Sequence, residues 1–336
     1  MCIWLTLSDI TKTACGQVNM FMHRQGHWFL IVLLSACSLP DSPTSSYQIA
    51  NHSLLTADFS PDGQAYFIGA VTDGGSLWEA KTQARLYDWN HNKDDFSAIQ
   101  AIGFSADNQY AATAAGRSMA LWNVKDGSPV RYWQAPTRIT SLGVSYDASY
   151  ALLGQESNEA ILFNLQQGGV VGSLKHDDSV SSIAIDKGAN KAITGTRGGE
   201  VQIWSLETGK SIHRWMQAGS ISVIEFSGTG NQALVAADQG VVNIWNVDTA
   251  ESLHQLYAKS PGLTTATFSS DERWLLVGTA RAIIELWDLQ KGEKFRSWQL
   301  PEADPWHKPA VLALAFSESP IQYLAIASDG VSYILE

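Results

Sequence analysis

The sequence predicts an all-β fold: a seven-bladed β-propeller whose last blade is closed by a strand from the N-terminal side. Three observations predict it. An apolar residue followed by a polar turn recurs at Phe59, Phe104, Val144, Ile185, Phe226, Phe268 and Phe316, at spacings of 40 to 48 residues. Eighteen or nineteen residues after each comes a second large residue: Trp78, Trp122, Phe163, Trp204, Trp245, Trp287 and Ile334. Eleven residues further on stands a third series, Trp89, Trp133, Leu174, Trp215, Leu256 and Trp298. A period near 41 residues with room for four short strands per unit is the signature of a propeller.

Each element of the unit has its own signal. Polar turns follow the first series, as in Ser60-Pro61-Asp62-Gly63 and Ser269-Ser270-Asp271-Glu272. Alternating runs such as Val201-Gln202-Ile203-Trp204 and Val242-Asn243-Ile244-Trp245 read as strands. Breaks at Asp73-Gly74, Asp126-Gly127, Gly198-Gly199 and Asp329-Gly330 separate them. Of the eleven tryptophans that follow residue 36, nine lie in the second and third series. A bulky ring at one place per unit indicates a packing layer between units, not nine binding sites. The seventh unit has three strands and ends at Leu335-Glu336. The segment Tyr47-Gln48-Ile49-Ala50 is therefore expected to supply its outer strand, so that both chain ends share one blade and no sheet edge is left open.

Composition limits the function. The chain of 336 residues carries 22 Lys+Arg against 33 Asp+Glu, a net charge of −11. No basic cluster suits a phosphate backbone, so nucleic acid is excluded as a partner. With 45% hydrophobic residues the chain is too apolar to be disordered. No apolar run approaches the roughly 20 residues of a membrane helix.

The N-terminal region reads as an address. Arg24 precedes the run Trp28-Phe29-Leu30-Ile31-Val32-Leu33-Leu34, and small residues follow. This is the pattern of a secretory signal peptide over residues 1–36. Residues 1–19 fit poorly before such a signal, and Met20 or Met22 is the expected start. Leu34-Ser35-Ala36-Cys37 resembles the bacterial lipobox, which implies cleavage before Cys37 and acylation of its sulfur and new amino end. Several acyl chains anchor stably where one does not. The processed chain would carry 20 Lys+Arg against 32 Asp+Glu, a charge of −12, and no cysteine besides Cys37. Disulfides, a thiol nucleophile and a cysteine metal site are thereby excluded. Ser38 follows Cys37 where an Asp would favour the inner membrane, so the resemblance implies the outer membrane, facing the periplasm. Residues 37–46 are rich in Pro, Ser and Thr and read as the lipidated cysteine and its linker. Residues 47–336 form the propeller.

The repeat itself resembles the WD40 family, most fully in the unit from Phe268 to Trp287-Asp288-Leu289-Gln290-Lys291-Gly292. In that family a histidine, a turn aspartate and the tryptophan form a buried hydrogen-bond network. His176 is the one counterpart of the histidine in the expected place. Asp73, Asp238 and Asp329 match the aspartate, but Arg197-Gly198 stands there in the unit of His176. The expectation is that apolar packing, not this network, holds the blades.

Two readings of function remain. The first is a membrane-tethered scaffold that binds an envelope protein through loops, with no catalytic, cofactor or metal residues. Its contact candidates sit on two long connections, residues 90–97 and 300–309. They are His91 and Phe96 on the first, and Trp306 and His307 on the second. The topology sends both connections to one face, opposite the face where the linker enters. The second reading is an enzyme or small-ligand binder using the central channel, which requires ionisable groups on the innermost strands. No GxSxG, P-loop or HExxH motif occurs. His213 and His254 share a repeat position, and Asp94-Asp95 and Asp177-Asp178 are acidic pairs; surface solvation accounts for all of them. The inner strands Thr56-Ala57-Asp58-Phe59, Gln100-Ala101-Ile102-Gly103-Phe104 and Leu312-Ala313-Leu314-Ala315-Phe316 are mostly small and apolar, which favours the scaffold.

Overall fold

The computed structural model describes residues 40–92, 96–257, 262–301, 308–317 and 322–336. The signal, the lipobox with Cys37, and the candidates Trp306 and His307 lie outside these residues, as do Asp94 and Asp95. Among the described residues there are 28 strands and no helix, hence no helix long and apolar enough to cross a membrane. The strands form seven antiparallel sheets of four, six in simple sequence order and the seventh with the first strand of the chain beside the last three. Six blades span residues 54–88, 101–134, 139–175, 180–216, 221–257 and 263–299. The innermost strands contact one another in a closed cycle, so the sheets stand radially around one axis. This is the seven-bladed β-propeller that the repeat implies.

The seventh blade closes as expected, with one shift. Its outer strand is Ser45–Gln48, paired antiparallel with Val331–Leu335 from Ser45↔Ile334 to Gln48↔Val331. The strand begins two residues before the expected Tyr47, and Ile49 and Ala50 instead hydrogen-bond through their amides to the Gly330 carbonyl. The preceding residues are not a free linker either. The Asp41 amide donates to the Ser297 carbonyl at 2.8 Å, and the Asp41 carbonyl accepts from the Gln299 amide at 2.9 Å. Its carboxylate pairs with Arg296 at 2.6 Å. The N-terminal segment thus clasps the outer edges of two blades. The other six outer strands carry a bulge opposite the second-series residue, as at Leu286/Trp287. Bulges twist an edge away from pairing with other chains; the closing strand is straight.

Sequence position explains the core. All seven first-series residues are the last residues of innermost strands, and the second series stands one residue before the end of each third strand. Buried apolar residues gather in seven clusters, each joining two adjacent blades. The third-series residue of one blade meets the second-series residue of the next. Trp89 stacks on Trp122 at 5.5 Å and 9°. Trp133 meets Phe163 at 5.6 Å and Trp215 meets Trp245 at 4.5 Å. Leu174 joins Trp204, and Leu256 joins Trp287. The Trp89 and Trp298 indoles also donate across the joint, to the carbonyls of Gly127 and Glu336, each at 3.2 Å. Such close approach needs small residues alongside. A Cβ on Gly69 would lie 2.5 Å from the Ile99 carbonyl oxygen, and one on Gly278 would lie 2.6 Å from Val311 Cγ1.

The hydrogen-bond network that was expected to be absent is present in altered form in two blades. His91 places Nδ1 2.9 Å from Ser118 Oγ and Nε2 2.9 Å from Thr113 Oγ1, which also accepts from the Trp122 indole at 2.7 Å. In the blade of His176, Trp204 donates to Thr194 Oγ1 at 2.8 Å, and Glu200 Oε1 lies 3.1 Å from His176 Nδ1. A carboxylate on the third strand replaces the missing turn aspartate.

The fully buried Trp298 should be costly to remove. Trp298→Ala is expected to destabilise the ring by about 3–5 kcal/mol, whereas Gln48→Ala, at the equivalent but exposed place on the closing strand, should cost less than about 1 kcal/mol. Urea unfolding of the two variants checks the contrast.

Candidate functional site

The candidate site follows from one irregularity in the repeat. Gln48↔Val331 corresponds in register to Trp298↔Ile284 and Trp215↔Val201. The closing strand therefore presents a glutamine where the others present Trp or Leu. The Gln48 amide turns outward and donates to the Asp329 and Gly330 carbonyls at 3.3 Å. Ile49 turns inward in its place. A polar bridge crosses this joint instead of a ring: Gln83 Oε1 accepts from Tyr66 Oη at 2.7 Å and from Ser332 Oγ at 2.8 Å.

A cavity of about 270 Å³ opens where the closing segment meets blade 1, lined by Ile49, Ile68, Ala70, Trp78, Arg85 and Phe96 among others. A second, of about 680 Å³, is lined by Leu324 and Ile334 of blade 7 and by Ala65 and Ala80 of blade 1. Trp78 is half-buried, as is Trp245, while Trp122, Trp204 and Trp287 are buried. Phe96 is 62% exposed at the rim of the smaller cavity. His52 Nδ1 and Asp73 Oδ2, 3.1 Å apart, stand beside it.

Of the contact candidates, Phe96 is thus an exposed aromatic at a cavity. His91 is not available: it is half-buried, both ring nitrogens are bonded, and the rings of Trp122 and Tyr132 pack against it. Burial pushes its pKa down to about 4. Neutral imidazole suits the network, because Thr113 accepts from Trp122 and has its own proton left for Nε2, while Nδ1–H donates to Ser118. His91 therefore serves packing and hydrogen bonding with blade 2. Its place in the chain hid this, since the long connection shifts the histidine away from the offset seen for His176.

The remaining pairs stay apart. His213 Nε2 bonds the Asp248 carbonyl at 2.8 Å. Asp177 pairs with Arg214 at 3.3 Å, and the Asp178 carboxylate accepts from the Ser179 amide. Among the described residues no three His, Cys, Asp or Glu converge as a metal site.

The channel holds more charge than the sequence suggested. Asp58 and Glu225 occupy the same position, one before the end of the innermost strand, in blades 1 and 5. Those blades are not neighbours, so the two carboxylates feel each other across the axis. Desolvation pushes Asp58 up to about 7. Desolvation, then repulsion from Asp58, pushes Glu225 up to about 8, opposed by Lys187. Glu225 was legible in principle: aligned one residue before the first series, it is the only residue besides Asp58 that is ionisable, the others being Gly103, Gly143, Ala184, Thr267 and Ala315.

These shifts have opposite consequences. His91 is harder to protonate folded than unfolded, so it withdraws stability as pH falls from about 6.5 to 4, on the order of 3 kcal/mol. His91→Gln should remove that part of the acid slope in pH-dependent urea unfolding. Asp58 and Glu225 hold protons more tightly when folded, so their contribution is greatest in acid and is lost as pH rises through about 7 to 8. The double variant Asp58→Asn, Glu225→Gln should raise the thermal midpoint at pH 8 and leave it nearly unchanged at pH 4.

Compared with protein-family models and with curated proteins, the chain matches none.

Proposed function

We propose that this protein is a lipid-anchored scaffold of the bacterial cell envelope, with a propeller of WD40 type that binds a partner protein through the face bearing its long connections. It works by binding and not by catalysis. The observation that carries the reading is the joint between blades 7 and 1, where the exposed Phe96 and the half-buried Trp78 line one cavity. Hydrophobic anchors in or beside a pocket are where interface energy concentrates. The anchor is Cys37, in the setting Leu34-Ser35-Ala36-Cys37, and Ser38 directs the protein to the outer membrane, facing the periplasm. With Asp41 held on blade 6, only Ser38, Leu39 and Pro40 separate that cysteine from the ring. Such a span reaches at most about 14 Å, so the ring is held close to the membrane surface.

A second reading, a channel that holds a small cationic ligand, draws on Asp58 and Glu225. It differs in a simple respect: such a ligand would hold both carboxylates ionised and lower their apparent pKa values.

Two measurements test the scaffold. Cys37→Ser should move the protein from the membrane to the soluble fraction, and mass spectrometry should find acyl groups only on the parent chain. A photo-crosslinking residue at position 96 should capture a discrete envelope protein in cells. Crosslinks to lipid alone would refute the orientation.

A further inference from the structure

Each of the six bulged outer strands leaves one residue unpaired, and every time it is a large apolar one: Leu86, Val130, Val171, Ile212, Leu253 and Phe295. All six are exposed, five of them at 41 to 56% and Phe295 at 66%. An apolar residue at every bulge is a general feature of the rim, so exposure by itself marks no site. The surroundings of Phe295 set it apart. Its ring meets Trp274 edge to face at 5.1 Å, and the Arg273 guanidinium lies over the same indole at 4.8 Å. The strand reads Glu293-Lys294-Phe295-Arg296, and the turn before it carries the exposed Lys291. Lys294 pairs with Glu285 at 3.0 Å, Arg273 with Asp288 at 3.1 Å and Arg296 with Asp41 at 2.6 Å. With Lys291 and Glu293 the patch holds four cations and four acids. Glu285 and Asp288 are buried, so the cations form the outer layer of charge.

The second observation is where the chain joins the ring. Asp41 is fastened to this same strand: its amide donates to the carbonyl of Ser297, two residues from Phe295, and its carboxylate holds Arg296. Three residues separate Asp41 from Cys37. A chain anchored at Cys37 therefore keeps this edge within about 14 Å of the lipid. An aromatic ring flanked by Lys and Arg is what the headgroup layer of a bilayer accommodates, the ring at the apolar boundary and the cations at the phosphates.

We propose that the bulge of blade 6 is a membrane contact, in which Phe295 enters the headgroup layer and Lys291, Lys294, Arg296 and Arg273 meet the phosphates of anionic phospholipid. The inference rests on the anchoring at Cys37 and adds an orientation to it. The ring stands with blade 6 on the bilayer and blade 3, which carries Val171, on the far side. The contact is weaker than the roughly 10⁴ M⁻¹ of a single acyl chain. It therefore leaves the Cys37→Ser chain in the soluble fraction of a lysate, yet it orients a chain that is already tethered.

Two measurements on the whole chain decide it. In cells, a photo-crosslinking residue at position 295 should give phospholipid adducts at least tenfold more often than one at position 171. In solution, the Cys37→Ser chain should sediment with vesicles of phosphatidylethanolamine and phosphatidylglycerol, and less with vesicles of phosphatidylcholine alone. Phe295→Ser should weaken the anionic-vesicle binding about tenfold, and Lys291→Glu about fivefold. Val171→Ser should leave it unchanged. Both altered positions are exposed, so an unchanged thermal midpoint shows the ring intact, and Lys291→Glu carries the measurement should Phe295→Ser fail to fold. The proposal is overturned if position 295 captures protein and no lipid, or if positions 295 and 171 capture lipid equally. It is also overturned if the Cys37→Ser chain ignores the anionic vesicles, or binds them equally well with both residues replaced. Absence of acyl groups from Cys37 removes the anchoring reading alone; the vesicle measurement needs no acyl group and still decides this one.

Discussion

The ring is held by a contact made between blades and not within them. A third-series residue at the end of one outer strand packs on the large residue near the end of the next blade's third strand, and in two joints its indole N–H also reaches a carbonyl of that blade. An indole buries some 150–250 Å² in such a position, worth several kcal/mol at about 25 cal/mol per Å² before the cost of ordering the chain. Everything else is arranged to bring these surfaces together. The glycines at 69, 195 and 278 let neighbouring blades approach, and Gly195 does so directly against Ile221. The core is accordingly seven interfaces, not one nucleus.

This explains why the fold was legible and much of the site was not. The blade contact recurs at a fixed place, so its residues appear in the sequence as a period. Nine tryptophans at two offsets announce seven units even where no Trp-Asp pair survives. What breaks the period is harder to see. Gln48 lies upstream of the first unit, and only the register with Val331 reveals that it stands in a tryptophan's place. His91 is displaced by a long connection, so its alignment with Thr113 and Trp122 required the folded chain. Glu200 replaces a turn carboxylate from a different strand. Asp58 and Glu225 are 167 positions apart and meet only because the ring closes.

The two candidate regions differ in kind. The joint between blades 7 and 1 departs from the repeated packing scheme, with Ile49 and the Gln83 bridge in place of an outer-strand Trp or Leu, and an exposed aromatic lines its cavity. The channel pair is a regular inner-strand position occupied twice by acids, with raised proton affinity and a nearby lysine. The first offers a recess of mixed polar and apolar lining beside an exposed aromatic, which suits a protein surface. The second offers charge that is largely suppressed near neutral pH, which suits control of stability more than recognition.

The clasp at Asp41 has a mechanical consequence. A protein hung from its N-terminal end feels any tug first at that end. On the proposed tether at Cys37, a load would arrive at Asp41, where two main-chain bonds and the pairing with Arg296 fasten it to blade 6, before it reached the strand that shuts the ring. The edge of blade 6 takes the pull first, and the closing strand takes it only when that fastening gives way. A structure whose integrity depends on one short strand is in this way shielded from its own leash.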